Sequence, residues 1–165
     1  MTSAQKHPPR GKRHGGRRRA LELLYALEFN GLPFARGETE YLGGSARRRK
    51  GWSDFAHRLA SGAFERRAEL DAEISGKLRA WKIERLALID RLLLRLALTE
   101  LREEAEIPLK VTLNEYIELA KVFGTEESPE FINGILDKLA VAYRAKDETA
   151  AKDEEGKDEG GKDEG

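Results

Sequence analysis

Apolar residues recur at three- and four-residue intervals along most of this chain, the period of an amphipathic helix rather than of a strand. Ala20, Leu23, Leu24 and Leu27 form the first stripe, closed by Gly31 and Pro33, and predict a helix over about 17–30. The glycine-rich stretch 37–51, with its Arg47-Arg48-Arg49-Lys50 run, holds no sustained period and reads as a long loop carrying a basic patch. Ser53 or Asp54 then caps a helix over about 53–66 through Phe55, Leu59, Ala63 and Phe64, and Leu70 and Ile74 continue the pattern over about 68–79.

Residues 83–101 are apolar round most of a helical circumference, so this segment predicts a buried central helix. Its Arg91 and Arg95 must snorkel or pair with acids such as Asp90. Thr112-Leu-Asn-Glu115 has the form of a capping box, and Gly124 stands where a left-handed C-terminal cap would end that helix. Ser128 as N-cap and Pro129 at the first helical position open a last helix, whose stripe is Phe131, Ile135, Leu136, Leu139 and Tyr143. The expected fold class is all-α, with two small bundles (about 17–80 and 81–145) around the central helix.

The ends differ from this body. Residues 1–16 carry Pro8, Pro9, Gly11, Gly15 and Gly16 and predict a flexible basic arm. Residues 146–165 repeat KDEEG and KDEG with no apolar residue but alanine, predicting a disordered tail. The formal net charge of zero hides an asymmetry: the first 50 residues hold twelve Lys/Arg against four acids, +8, and residues 146–165 hold four Lys against nine acids, −5. Seven of the cations fall between Lys6 and Arg19, with no acid among them, directly before the first helix. That clustering is the electrostatic footprint of a nucleic-acid contact; on charge alone a solubilising terminus is an equal reading.

Candidate chemistry is thin. There is no cysteine, hence no disulfide, thiolate nucleophile or cysteine zinc site, which suits a reducing cytoplasm. No signal peptide or membrane span is expected, since no run of eighteen apolar residues occurs. His7, His14 and His57 are scattered without metal-ligand spacing, and neither a phosphate-binding loop nor a dinucleotide fingerprint is present. The expectation is no enzyme, metal or cofactor.

Three segments carry a family resemblance: R-x-x-A-L-x-L-L-Y at Arg17 to Tyr25, RLALIDRLLLRLALTEL in the central helix with Asp90 and Arg95, and IPLKVTLNEYIELAKVFGTEESPEFINGILDKL from Ile107 to Leu139. In this order they resemble the NusB family of bacterial transcription antitermination factors. The resemblance implies an all-helical, non-enzymatic RNA-binding protein. It would hold single-stranded boxA RNA with NusE, a ribosomal protein, inside an antitermination complex of RNA polymerase, notably on ribosomal RNA operons. It assigns phosphate contacts to Lys12, Arg13, Arg17 and Arg18 and a stacking role to Tyr25. It also extends the RNA surface to Lys121, Phe123, Glu127 and Phe131, with Asp90 beside it. Core packing competes for Tyr25 and Phe131, and ion pairing for Asp90 and Arg95. Asn114 and Asn133 read as structural. Monomer and homodimer both stay open. Two other functions compete: an RNA-targeting module tied to ribosomal RNA modification, and a helical protein-interaction scaffold that binds no RNA.

Overall fold

The computed structural model describes residues 10–79, 82–145 and 147. All regular structure among them is helical, as the patterning predicts. The chain divides into two compact units, 1–68 and 69–165.

The first unit is built on α1 (Arg10–Asn30), against which α2 (Phe34–Gly43), α3 (Ala46–Gly51) and α4 (Asp54–Glu65) pack. The expected stripe of Ala20, Leu23, Leu24 and Leu27 is buried, joined by Leu21. α1 ends at Gly31, whose φ of +64° favours a residue without Cβ and whose N–H reaches the Leu27 carbonyl at 3.2 Å. Ser53 caps α4, its hydroxyl accepting from the Ala56 amide at 3.2 Å.

Two readings of this unit need correction. α1 begins at Arg10, not near Arg17, so residues 10–16 belong to a helix rather than to an arm. Gly15 and Gly16 had signalled a break, but Gly16 is buried against Phe55, Ser53 and Ala56 of the α4 start, and that packing offsets glycine's poor propensity, about 1 kcal/mol per residue. The expected loop over 37–51 is α2 and α3. Phe34, Gly37 and Tyr41 are spaced on one face and buried; a glycine at the middle position concealed that stripe.

The second unit takes most of α5 (Arg67–Ser75), a 3-10 turn at Ile83–Arg85, α6 (Leu88–Glu103), α7 (Leu109–Phe123), α8 (Ser128–Ala140) and a 3-10 turn at Val141–Tyr143. α6 packs on α7 and α8, and every residue from Leu92 to Leu101 is buried. Each of its enclosed leucines contributes roughly 1.5–3 kcal/mol by leaving water. Two buried polar residues of α6, Arg95 and Glu100, are partnered from within the unit. Arg95 forms a two-pronged pair with Asp71 of α5, at 2.7 and 2.6 Å, rather than with Asp90. The fully buried Glu100 carboxylate accepts from the Thr112 and Tyr116 hydroxyls of α7, both at 2.9 Å.

Thr112 is therefore no N-cap: α7 starts three residues earlier, behind Pro108, and the threonine hydroxyl goes to the core. Gly124 is not left-handed but extended (φ −89°, ψ −167°); a Cβ there would lie 2.5 Å from Ser128, so close approach selects the glycine. Ser128 is the first residue of α8 rather than its cap, and its hydroxyl accepts from the Thr125 amide at 2.9 Å. The expected flexible segment 1–9 lies outside the described residues, as does the expected tail apart from Asp147. The Asp147 carboxylate accepts from the Leu109 amide at 3.0 Å and so supplies the cap that Pro108 lacks.

Candidate nucleic-acid interface

The cations of α1 fall into two kinds. Lys12 and Arg18 are exposed and Arg13 is half-buried, while Arg17 is only 1% exposed, with its guanidinium over the Phe55 ring at 5.4 Å. The assignment of Arg17 to a phosphate is corrected on this ground: it packs α1 against α4, in a cation–π contact. Its place in the motif gave no hint of this, since the burying residue comes from another helix.

Seven residues beyond Arg18, Tyr25 stands 43% exposed. Its ring meets that of Phe29, one turn further on and 69% exposed, with centroids 4.9 Å apart and planes tilted by 54°. Two adjoining aromatics left in water on a helix that carries exposed cations are the raw material for stacking single-stranded bases. Phe29 was missed by the sequence reading, although its spacing of four from Tyr25 was a usable signal.

Below Tyr25 lies a charge network that fixes α1 to α2. Arg19 meets the Glu22 carboxylate at 2.8 Å and Arg18 at 3.4 Å, and the Tyr41 hydroxyl donates to it. Partial burial opposes the Glu22 charge, but Tyr41, Arg19 and Arg18 outweigh it and hold the carboxyl below its ordinary range. Burial first, then the bond to Glu22, pushes the Tyr41 phenol well up. Arg19 is raised, chiefly by the Glu22 bond, and stays charged. An open cleft of about 590 Å³ sits over this network, lined among others by Arg19, Tyr25, Tyr41, Arg47 and Arg48.

The remaining expected site residues belong to the second unit. Lys121 and Phe123 end α7, Glu127 precedes α8 and Phe131 lies in its first turns, so four of the five gather about one helix junction. Lys121 and Glu127 are exposed, and Phe123 and Phe131 are half-buried. Lys121 pairs with Glu118 at 2.7 Å, and the neighbouring Val122 is 68% exposed. Asp90 sits in the first turn of α6, 8% exposed, with its buried Oδ1 unbonded; there it faces the positive end of the helix dipole. It offers little surface to a ligand. Among the described residues no group of three or more His, Cys, Asp or Glu is placed to hold a metal, and no helix is long and apolar enough to cross a membrane.

Residues 14–141 match the model of the NusB family. The transcription antitermination protein NusB of Geobacter sulfurreducens is 43% identical over 136 residues, covering 79% of this chain and 94% of that one. Its counterpart in Myxococcus xanthus is 40% identical over 135 residues, covering 80% and 96%. Among solved structures, T. maritima NusB superposes with a TM-score of 0.71 at 34% identity, over 87% of this chain and 99% of that one. A crystal structure of the antitermination factors NusB and NusE in complex with double-stranded RNA matches at 0.68 over 81% and 99%; at 24% identity that likeness is one of fold.

Proposed function

The chain belongs to the NusB family, and from that premise we propose that it is an RNA-binding transcription antitermination factor, working with a NusE partner on boxA-type RNA and promoting read-through by RNA polymerase. The observation that carries the RNA contact is the exposed Tyr25–Phe29 pair on the same helix as Lys12, Arg13 and Arg18. In this reading the cations neutralise phosphates while the rings stack bases, so charge supplies attraction and the aromatics favour an unpaired strand. Lys121, Phe123, Glu127 and Phe131 form a second contact region, and Asp90 supports its helix from within. NusE comes to this chain from the relative whose structure holds it with RNA. The work is done by binding rather than catalysis, in the cytoplasm, and its oligomeric state, monomer or homodimer, is set in solution.

The test is binding of a boxA-type RNA and a scrambled control across a salt series, with and without NusE. Preference for boxA strengthened by NusE is expected. Tyr25→Ala should weaken binding about tenfold, as for loss of one stacked base, with little change in salt slope. Arg18→Ala should lower that slope by about 0.7. Arg17→Ala should instead lower thermal stability, because its guanidinium is buried over Phe55. Equal, weak binding to both RNAs with no effect of NusE would reject the proposal.

A further inference from the structure

The basic run Arg47 to Lys50 has so far no role, and its four residues are not equivalent. Arg48 donates to the Tyr41 carbonyl at 3.2 Å and lies over the Tyr41 ring at 4.7 Å, and Arg49 donates to the Leu42 carbonyl at 3.0 Å. These two satisfy carbonyls in the last turn of α2, where cations complement the helix end. Trp52 adds an anchor, its indole N–H donating to Glu38 at 3.0 Å. α3 is thus a fixed element. Arg47 and Lys50 remain exposed and make no ion pair among the described residues.

Arg47, on α3, lines the same cleft as Tyr25, on α1. At about 590 Å³ the cleft falls within the 300–1,000 Å³ or so typical of ligand sites, room enough for a nucleotide. Its acids are occupied: Glu22 by Arg18, Arg19 and Tyr41, and Glu40 by Arg36 at 3.3 Å. The charge left uncompensated at the cleft is therefore that of Arg47 and Arg48, with Lys50 close by in sequence. Because Tyr25 belongs both to this cleft and to the exposed face of α1, a strand stacked on Tyr25 has the cleft as its next stop.

We propose that the cleft between α1, α2 and α3 seats a nucleotide of the bound single-stranded RNA adjacent to the base on Tyr25, with Arg47 holding its phosphate. This rests on the RNA-binding reading above and extends its footprint to a helix outside the three segments that carry the resemblance. The strand, rather than a free nucleotide, is the occupant because the cleft is open instead of enclosed and shares the exposed Tyr25 with α1.

The experiment uses the full chain and two RNAs, one limited to a boxA-type core and one extended by several nucleotides on both sides, across a salt series. For the extended RNA, Arg47→Ala is expected to weaken binding about three- to fivefold and lower the salt slope by about 0.7, and Arg47→Glu to weaken it further. The core RNA should change less than about twofold, and Lys77→Ala, exposed in the second unit and outside the cleft lining, should behave as wild type. Thermal melts of all variants check folding. A wild-type chain that binds neither RNA overturns the RNA reading and this one with it. A wild type that prefers boxA, with Arg47→Glu matching it on both RNAs, overturns the cleft alone. Saturable binding of uridine monophosphate that Arg47→Glu abolishes while RNA affinity is unchanged also overturns it, assigning the cleft to a free nucleotide.

Discussion

Gly15 and Gly16 are neighbours in one helix, yet they face different surroundings. A Cβ at Gly15 meets nothing within 4 Å, whereas one at Gly16 lies 3.0 Å from the Phe55 ring. Gly15→Ala should therefore gain up to about 1 kcal/mol of helix propensity and raise Tm by about 2–4 °C, while Gly16→Ala should lower it as Phe55 is displaced. Paired thermal melts check both signs. The same contrast marks what was legible at this scale. The exposed Lys12 and Arg18 followed from the charge clustering, whereas an exposed Tyr25 came only with the family resemblance, since its place near an apolar stripe favours core packing. The burial of Arg17 did not, because Phe55 comes from a helix nearly forty residues away in sequence.

Elements were legible where periodicity and punctuation agreed. α4, α5, α7 and α8 lie close to their expected places, α1 starts seven residues before its expected start and α6 five after, and the missed α2 and α3 are short helices rich in glycine and arginine. Caps read less well: Thr112 and Ser128 are hydroxyl residues near helix starts whose bonds go elsewhere. Thr112 in particular serves Glu100, so Glu100→Ala, which removes the acceptor of two buried hydroxyls, should cost on the order of 3 kcal/mol in chemical denaturation. The α1–α2 link has a pH signature. Because the folded Glu22 carboxyl is held below its ordinary value of 4.5, its contribution is fully present above that value and is lost as pH falls through the lowered one. The Tm difference between wild type and Glu22→Gln should thus be present at neutral pH and shrink to nothing in acid. A difference that persisted at low pH would count against the network.

For the whole molecule, the sum of charges is uninformative and their distribution is not. A chain of zero net charge places +8 in its first 50 residues and −5 after residue 145. Truncation after Ala151 removes most of that acid while keeping Asp147. It should leave Tm unchanged and raise RNA affinity at low salt, with the gain fading as ionic strength rises. The family resemblance expects subdomains of about 17–80 and 81–145, and the two units divide between residues 68 and 69 instead; the cleft beside α3 was not read from the sequence, because its lining is assembled from three separate helices.

The bond from the Leu109 amide to Asp147 ties the root of the acidic tail to a helix thirty-eight residues back along the chain. A single backbone proton thereby becomes a reporter: its exchange with solvent deuterium is slow while the root is docked and quickens when it lets go. Whatever engages the tail, be it a protease, a fusion partner or the basic end of the same chain, is therefore readable at the start of α7, far from where it acts in sequence.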